Sequence, residues 1–420
     1  MIDQFIKSAI LKDFQIKKFC WYGFLKNLKF FEPYLIIYLM QSNINLFQIG
    51  VLIAIREIIV NVFEIPSGFI ADYFGRKKEM YFCFSFYIIS FVVFFFTDSF
   101  VLAALGMIFF GLGEAFRSGT HKAMIYTYLD SKNWQKEKTF VYGRTRSFSL
   151  IGSAISSLLG IMLILSVPTD RYIFLFSVVP YVLDLLLIMS YPKFLDIADK
   201  KHNTSLKGMV KELLYSFCVN KKLRYLLIEE GMSEATFSYI KDLIQPILEI
   251  IIIGSGVAII STLSADDNLK VILGLVYAML NLFGSYFSKK AYLIKGQKSS
   301  IACLYFIHIA IAISCGLLAV FSKQYFFVCV IYIFIYILHS VRKPLFVDEV
   351  DNHIDKSNRA TIISASAQLK SVCLMIFAPL LGFIADMFGI AWVMLILGVV
   401  FAVTIPLLKY KELISSKQSE

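Results

Sequence analysis

The sequence predicts an all-α integral membrane protein: twelve transmembrane helices in two six-helix halves, with both termini on the cytoplasmic side. Three observations carry this. Hydrophobic residues make up 58% and charged residues only 17% of the chain, a balance that excludes an ordinary soluble domain. Continuously apolar runs of about 18–25 residues recur, the length a helix needs to cross a hydrocarbon core of ~30 Å. Their lack of alternation excludes spanning strands. One long polar segment, 192–224, divides residues 1–191 from residues 225–420, so the spans fall as six and six.

Taken in order, the opening MIDQFIKSAILKDFQIKK mixes acids and lysines and lacks an apolar core with a cleavage site, so no signal peptide is expected. Spans of the first half are placed at roughly 19–40, 46–70, 80–97, 100–125, 145–167 and 171–191. The connecting PKFLDIADKKHNTSLKGMVKELLYSFCVNKKLR suits an interfacial amphipathic helix around 205–218. The second half repeats the pattern at roughly 225–253, 270–288, 299–321, 324–346, 361–385 and 391–408. Span seven is the irregular one. From Leu226 to Leu263 a helix would run about 57 Å, too long for one crossing. A break is therefore expected at Pro246 and at Gly254-Ser255-Gly256.

Charge orients the bundle. The N-terminus, the 2–3, 4–5, 8–9 and 10–11 connections, the central linker and the C-terminus collect lysines and arginines, whereas the opposite side keeps only Arg171, Lys270 and Lys323. That asymmetry places both termini in the cytoplasm by the positive-inside rule. It also accounts for the net charge of +11 as topology and attraction to anionic lipid, so no nucleic-acid partner is expected.

One phrase is written twice. Residues 68–75 read GFIADYFG and residues 382–389 read GFIADMFG, but only the first continues into Arg76, Lys77 and Lys78. The first closes span 2 on the cytoplasmic face and the second closes span 11 on the other, which explains the single basic tail. Both are second helices of a three-helix unit, as in nested triplet repeats.

GFIADYFGRKK resembles the cytoplasmic 2–3 loop signature of the major facilitator superfamily, G-x-x-x-D-R-x-G-R-K/R. Gly68, Asp72, Gly75, Arg76 and Lys77 match it, and Tyr73 replaces the usual arginine. The resemblance implies a secondary transporter whose 2–3 loop, with Glu64 beside it, latches the two halves on the cytoplasmic side. It implies a central cavity lined by spans 1, 4, 7 and 10. The equivalent loop of the second half, GSYFSKK from Gly284 to Lys290, is a decayed copy with Ser288 in place of the acid. Two features of drug–proton antiporters are missing: Met107 stands where their span 4 carries an arginine, and GSAISSLLG in span 5 lacks their Gly-Pro pair.

Ionisable residues inside the spans are the candidates for function, since a charge at mid-bilayer costs at least ~2.5–3.5 kcal/mol and needs a partner or water. Lys26, Lys29 and Pro33 share a face by helical spacing, with Glu32 adjacent. Glu57, Asn61, Glu64 and Gly68 form a second stripe beside Arg56, and Glu114, Arg117 and His121 a third. The expected substrate and proton pathway is Lys29, Glu32, Glu57, Glu114, Arg117, His121 and Asp242. Glu57, Glu114 and Glu32, in that order, are the expected proton carriers, because a desolvated carboxylate can titrate as a cation approaches or leaves. Arg117 and Lys29 are alternatively counter-charges for an anionic or zwitterionic solute. Arg144, Arg146, Lys122, Glu229 and Glu230 lie near cytoplasmic ends, where snorkelling or salt bridges between the halves suffice, and His308 is read as packing.

The seven cysteines are scattered without C-x-x-C pairs, so neither a disulfide framework nor a metal site is expected. No P-loop, nucleophile–base pair or cofactor motif stands out. The expectation is a monomeric, non-enzymatic transporter of a small polar or charged solute, proton-coupled, in a bacterial cytoplasmic (inner) membrane. That location follows from the resemblance and from the Ile-, Lys- and Phe-rich composition. The alternatives are a drug or metabolite exporter and a solute sensor of transporter fold.

Overall fold

The computed structural model describes residues 2–196, 221–255, 260–291, 299–351 and 359–416. All regular structure among them is helical, and nine of the described helices are long and apolar enough to cross a membrane. The linker helix expected around 205–218 lies outside the described residues.

The chain divides into two compact units. Unit one holds Met1–Tyr38 and Ile58–Asn203; unit two holds Leu39–Glu57 and Thr204–Glu420. Unit one contains α1 (Ile2–Lys12), α2 (Phe14–Lys26), the second half of α4 (Leu46–Phe74), α5 (Arg76–Phe95), α6 (Phe100–Arg117), α7 (Thr120–Ser131), α8 (Lys138–Leu165) and α9 (Tyr172–Met189). Its core is aromatic. Tyr181 of α9 meets the rings of Tyr87 and Phe91 of α5 at 5.2 and 4.8 Å between centroids. Tyr128, Asp13 and α2 are tied together: Asp13 accepts the Ile16 N–H at 2.9 Å and the Tyr128 hydroxyl at 2.8 Å, capping α2.

Unit two contains α3 (Leu35–Gln41) from Leu39 onward, the first half of α4, α10 (Lys221–Ser255), α11 (Ala265–Lys289), α12 (Ser300–Val320), α13 (Tyr325–Asp351), α14 (Arg359–Phe388) and α15 (Ile390–Ser416). There α10 packs on α14 and α15, and α12 on α13 and α15. Serines open two of these helices: Ser264 accepts the Asp267 N–H at 3.1 Å and Ser299 the Ala302 N–H at 3.2 Å.

Three spans differ from their sequence reading. Span 1 is not one helix: it breaks between α2 and α3, and residues 27–34 are turns and irregular chain. Pro33 supplies no N–H, and Asn27 turns its side chain back onto the Gly23 carbonyl at 2.6 Å, competing with the helix ladder. The Tyr181 hydroxyl satisfies the Lys26 carbonyl at 2.9 Å. Lys26, Lys29 and Pro33 therefore do not share a helical face. Span 4 is divided at Ser118-Gly119, where Gly119 adopts φ +77° and ends the Glu114–Arg117 stripe before His121. Span 7, conversely, is not broken at Pro246, because α10 runs continuously to Ser255. In the turn before Pro246 the Tyr277 hydroxyl reaches the Lys241 carbonyl at 3.5 Å.

Candidate functional site: two ionic clusters and a helix clasp

The first cluster forms where α2 breaks, beside the end of α6. Glu114 sits between two cations: Arg117 Nη2 lies 2.5 Å from Oε2, and Lys29 Nζ 3.7 Å from Oε1. The Tyr87 hydroxyl donates to Glu114 Oε1 at 2.6 Å and accepts from Arg117 Nε at 3.3 Å. Gly113 makes room for this tyrosine, since a Cβ there would lie 2.8 Å from its ring. Lys29 also sits 5.0 Å over the Phe110 ring. The side chains of Lys29, Glu114 and Arg117 keep 18%, 23% and 29% of their exposure, so the cluster is reachable rather than sealed. The glycines of α8 hold it in place: a side chain on Gly152 would strike the Phe24 carbonyl, and one on Gly160 would crowd that of Phe30.

Other pathway residues lie apart from this group. His121 stacks on Tyr22 with centroids 3.5 Å apart and meets the Tyr191 hydroxyl at 3.2 Å. Glu32 is half-buried in the turn between α2 and α3. Asp242 is half-buried on α10, within electrostatic reach of Tyr239 and Tyr332. Asp184 of α9 is fully buried and neither carboxyl oxygen has a hydrogen-bond partner.

The loop motif closes α4 and opens α5. Gly75 has φ +99°, and a side chain on it would collide with Asp196. Asp196 accepts the Lys77 N–H at 2.8 Å, while Lys77 Nζ donates to the Tyr191 carbonyl at 2.8 Å. Arg76 donates to Thr127 at 2.7 Å and Glu64 accepts from Ser118 at 2.8 Å. The side chain of Asp72 lies outside what the structure describes.

The second cluster is in unit two, and sequence reasoning missed it. Arg342 of α13 is fully buried among three carboxylates of α10. Its Nη1 lies 2.5 Å from Glu230 and 3.2 Å from Glu229, and its Nη2 lies 3.6 Å from Glu234. Two histidines join. His308 of α12 is 2.7 Å from Glu229, and His339 is 3.1 Å from Glu234 while stacking on Phe237. His308 thus contacts Glu229 rather than only packing, and Glu229 and Glu230 are buried in salt bridges to Arg342 within unit two rather than snorkelling. The spacing E-E-x-x-x-E on α10 and H-x-x-R on α13 was the available signal. Which face each helix turns inward is a tertiary fact that spacing alone does not give.

A third feature joins the start of α4 to the end of α14, both in unit two. Asp386 accepts the Leu46 and Phe47 N–H groups at 3.1 and 2.8 Å, capping α4 from another helix. Side chains on Gly50 or Gly382 would run into the Ala378 or Leu46 carbonyl. Further along, Glu57 pairs with Arg56 at 2.7 Å and accepts a hydrogen bond from Ser371.

Comparison with known proteins now decides the family. The family model of the Major Facilitator Superfamily matches residues 27–373. The chain belongs to this superfamily. Its members are membrane transporters rather than enzymes, and the long apolar helices described above fit a multi-pass membrane protein. A curated relative, the uncharacterized MFS-type transporter YxaM of Bacillus subtilis (strain 168), is 29% identical over 211 residues, 49% of this chain. The match spans about half the relative's length, 51%. Among solved structures, the nucleoside transporter NupG superposes with a TM-score of 0.79 at 11% identity, covering 95% of this chain and 99% of that one. A bacterial homologue of the human lysosomal transporter Spinster, inward-facing and occupied, gives 0.73 at 13% identity over 95% and 97%. At such identities the likeness concerns the fold.

Proposed function

We propose that this transporter moves a small polar or charged organic solute across the bacterial cytoplasmic membrane by alternating access, as a monomer driven by proton movement. The observation that carries the solute class is the cation surplus around Glu114. Lys29 and Arg117 both lean on one carboxylate. Cations inside a spanning region need partners, so an anionic group on the solute would compete with Glu114 for Arg117 and Lys29. The interrupted helix beside them supports the same reading, because irregular backbone at membrane depth is tolerated where it is buried in protein or lines a cavity.

The repeated phrase supports alternating access. Gly382 and Asp386 of the second copy hold the start of α4, whereas a Cβ on Gly68 of the first copy would meet nothing within 4 Å. Each copy ends its helix on a glycine of positive φ, +99° at Gly75 and +89° at Gly389. Two copies of one clasp, engaged in turn, would close the two sides alternately.

The test is a thermal-shift screen of the purified protein against a broad solute library, with Arg117→Ala in parallel. A ligand that binds only the folded state raises the melting temperature by mass action. A polar or charged hit lost in Arg117→Ala supports the reading. Hits confined to lipophilic drugs, unaffected by Arg117→Ala, would favour the exporter instead.

A further inference from the structure

The ionic cluster of unit two packs its acids against a single fully buried guanidinium. Glu229, Glu230 and Glu234 of α10 face one buried guanidinium, Arg342. Lys343 reaches Glu234 at 3.6 Å, but with 57% of its side chain exposed it neutralises only the rim. The other titratable groups around the cluster are His308 of α12, His339 of α13 and Lys370 of α14, the last within electrostatic reach of Glu234. From α15 comes a ring, Phe401, against His308. Holding three buried carboxylates against one fully buried cation is costly, and an exchangeable proton on a carboxyl or imidazole lowers that cost.

The geometry also selects the ligand. Glu229, His308 and Arg342 are fully buried, so nothing larger than a proton reaches them without opening the helices. Glu229 Oε2 and Arg342 Nε are buried with no hydrogen-bond partner, which leaves an acceptor free for a proton at the deepest point. Exposure rises outward, from Glu229 at 0% through Glu230 at 5% to Glu234 at 11%, and ends at Lys343. We propose that the Glu229–Glu230–Glu234 group around Arg342 is the binding site of the coupling proton, entered at Glu234 and His339 and reaching His308. The proton adds to one carboxylate, raises the cluster charge by one, and leaves from the same group when the helices rearrange. Lys370 ties this site to the clasp, because it is also within electrostatic reach of Glu57, whose carboxylate accepts from neighbouring Ser371. A proton on Glu234 weakens its hold on Lys370 and shifts that cation's balance towards Glu57.

This inference rests on the proton-coupled reading above, and its test is independent of the unknown solute. Infrared titration of the purified wild-type protein reads the protonated-carboxyl C=O band as pH changes, alongside Glu229→Gln, Glu230→Gln and Glu234→Gln measured separately. Each glutamine keeps the side chain's shape, and one unfolded variant still leaves the others to decide. The expected result is a titrating carboxyl band in the wild type that is lost or shifted in at least one of these variants and retained in Glu114→Gln. A wild-type band unchanged in every folded cluster variant overturns the site while leaving coupling through another carboxyl. A wild type with no titrating band overturns both.

Discussion

Gly382 and Gly68 occupy the same position in two copies of one phrase, so replacing each by alanine is a matched pair. In Gly382→Ala the new methyl collides with the Leu46 carbonyl and lies 3.0 Å from the Phe47 Cα, both backbone atoms that cannot rotate away. The start of α4 must retreat from α14, which also lengthens the bonds from Leu46 and Phe47 to Asp386. Overpacking of this kind costs about 1–3 kcal/mol. At 1.4 kcal/mol per factor of ten, the clasped state loses roughly 5- to 150-fold in population. In Gly68→Ala the methyl meets nothing within 4 Å, and the helix gains a better helix former. The assay is the rate at which a membrane-impermeant maleimide labels Ala378→Cys, a position fully buried beneath Gly50, in a background without native cysteines. Labelling should accelerate in Gly382→Ala and should not accelerate in Gly68→Ala. Equal rates in the two variants would refute the clasp.

Asp184→Leu should raise the melting temperature in detergent, since it removes a fully buried carboxyl with no hydrogen-bond partner at a cost of about 1–3 kcal/mol; a lowered melting temperature contradicts this. Arg342→Met should destabilise by about 3–5 kcal/mol by stranding three carboxylates. The loss should shrink at acid pH, where protonated carboxyls no longer need a counter-charge, and a pH-independent loss counts against the cluster. Arg117→Ala and Glu114→Gln should each lower stability, but the double variant by less than their sum, with a coupling of ~0.5–3 kcal/mol read from a double-mutant cycle. Gly119→Ala should destabilise by about 1–2 kcal/mol through its φ of +77°, although open space surrounds its Cα.

The membrane fold was legible because apolar run length is a physical requirement of the bilayer, and the GFIADYFGRKK signature named the family before any coordinates. Glu114 and Arg117 were legible as a pair because they lie three residues apart on one helix, so local spacing suffices. Their third partner, Lys29, was singled out by its charge within an apolar run, but on the wrong backbone. Pro33 and the Asn27 back-bond break a helix that periodicity alone continues. His121 was lost from its stripe to a single glycine of positive φ. The cluster of unit two was missed for a different reason. Its members lie up to 113 residues apart, and a histidine in an apolar run, such as His308, acquires meaning only when α12 and α10 pack together. The spacings on α10 and α13 mark the charged faces, but long-range pairing of that kind leaves no local sign of which groups meet.

The most direct test of proton-coupled solute transport is reconstitution into liposomes with a trapped pH-sensitive dye, scanned against polar and charged solutes. The prediction is that at least one such solute moves protons only when the protein is present, and that Arg117→Ala abolishes its effect. A solute that crosses through the wild-type protein without any proton movement would contradict it.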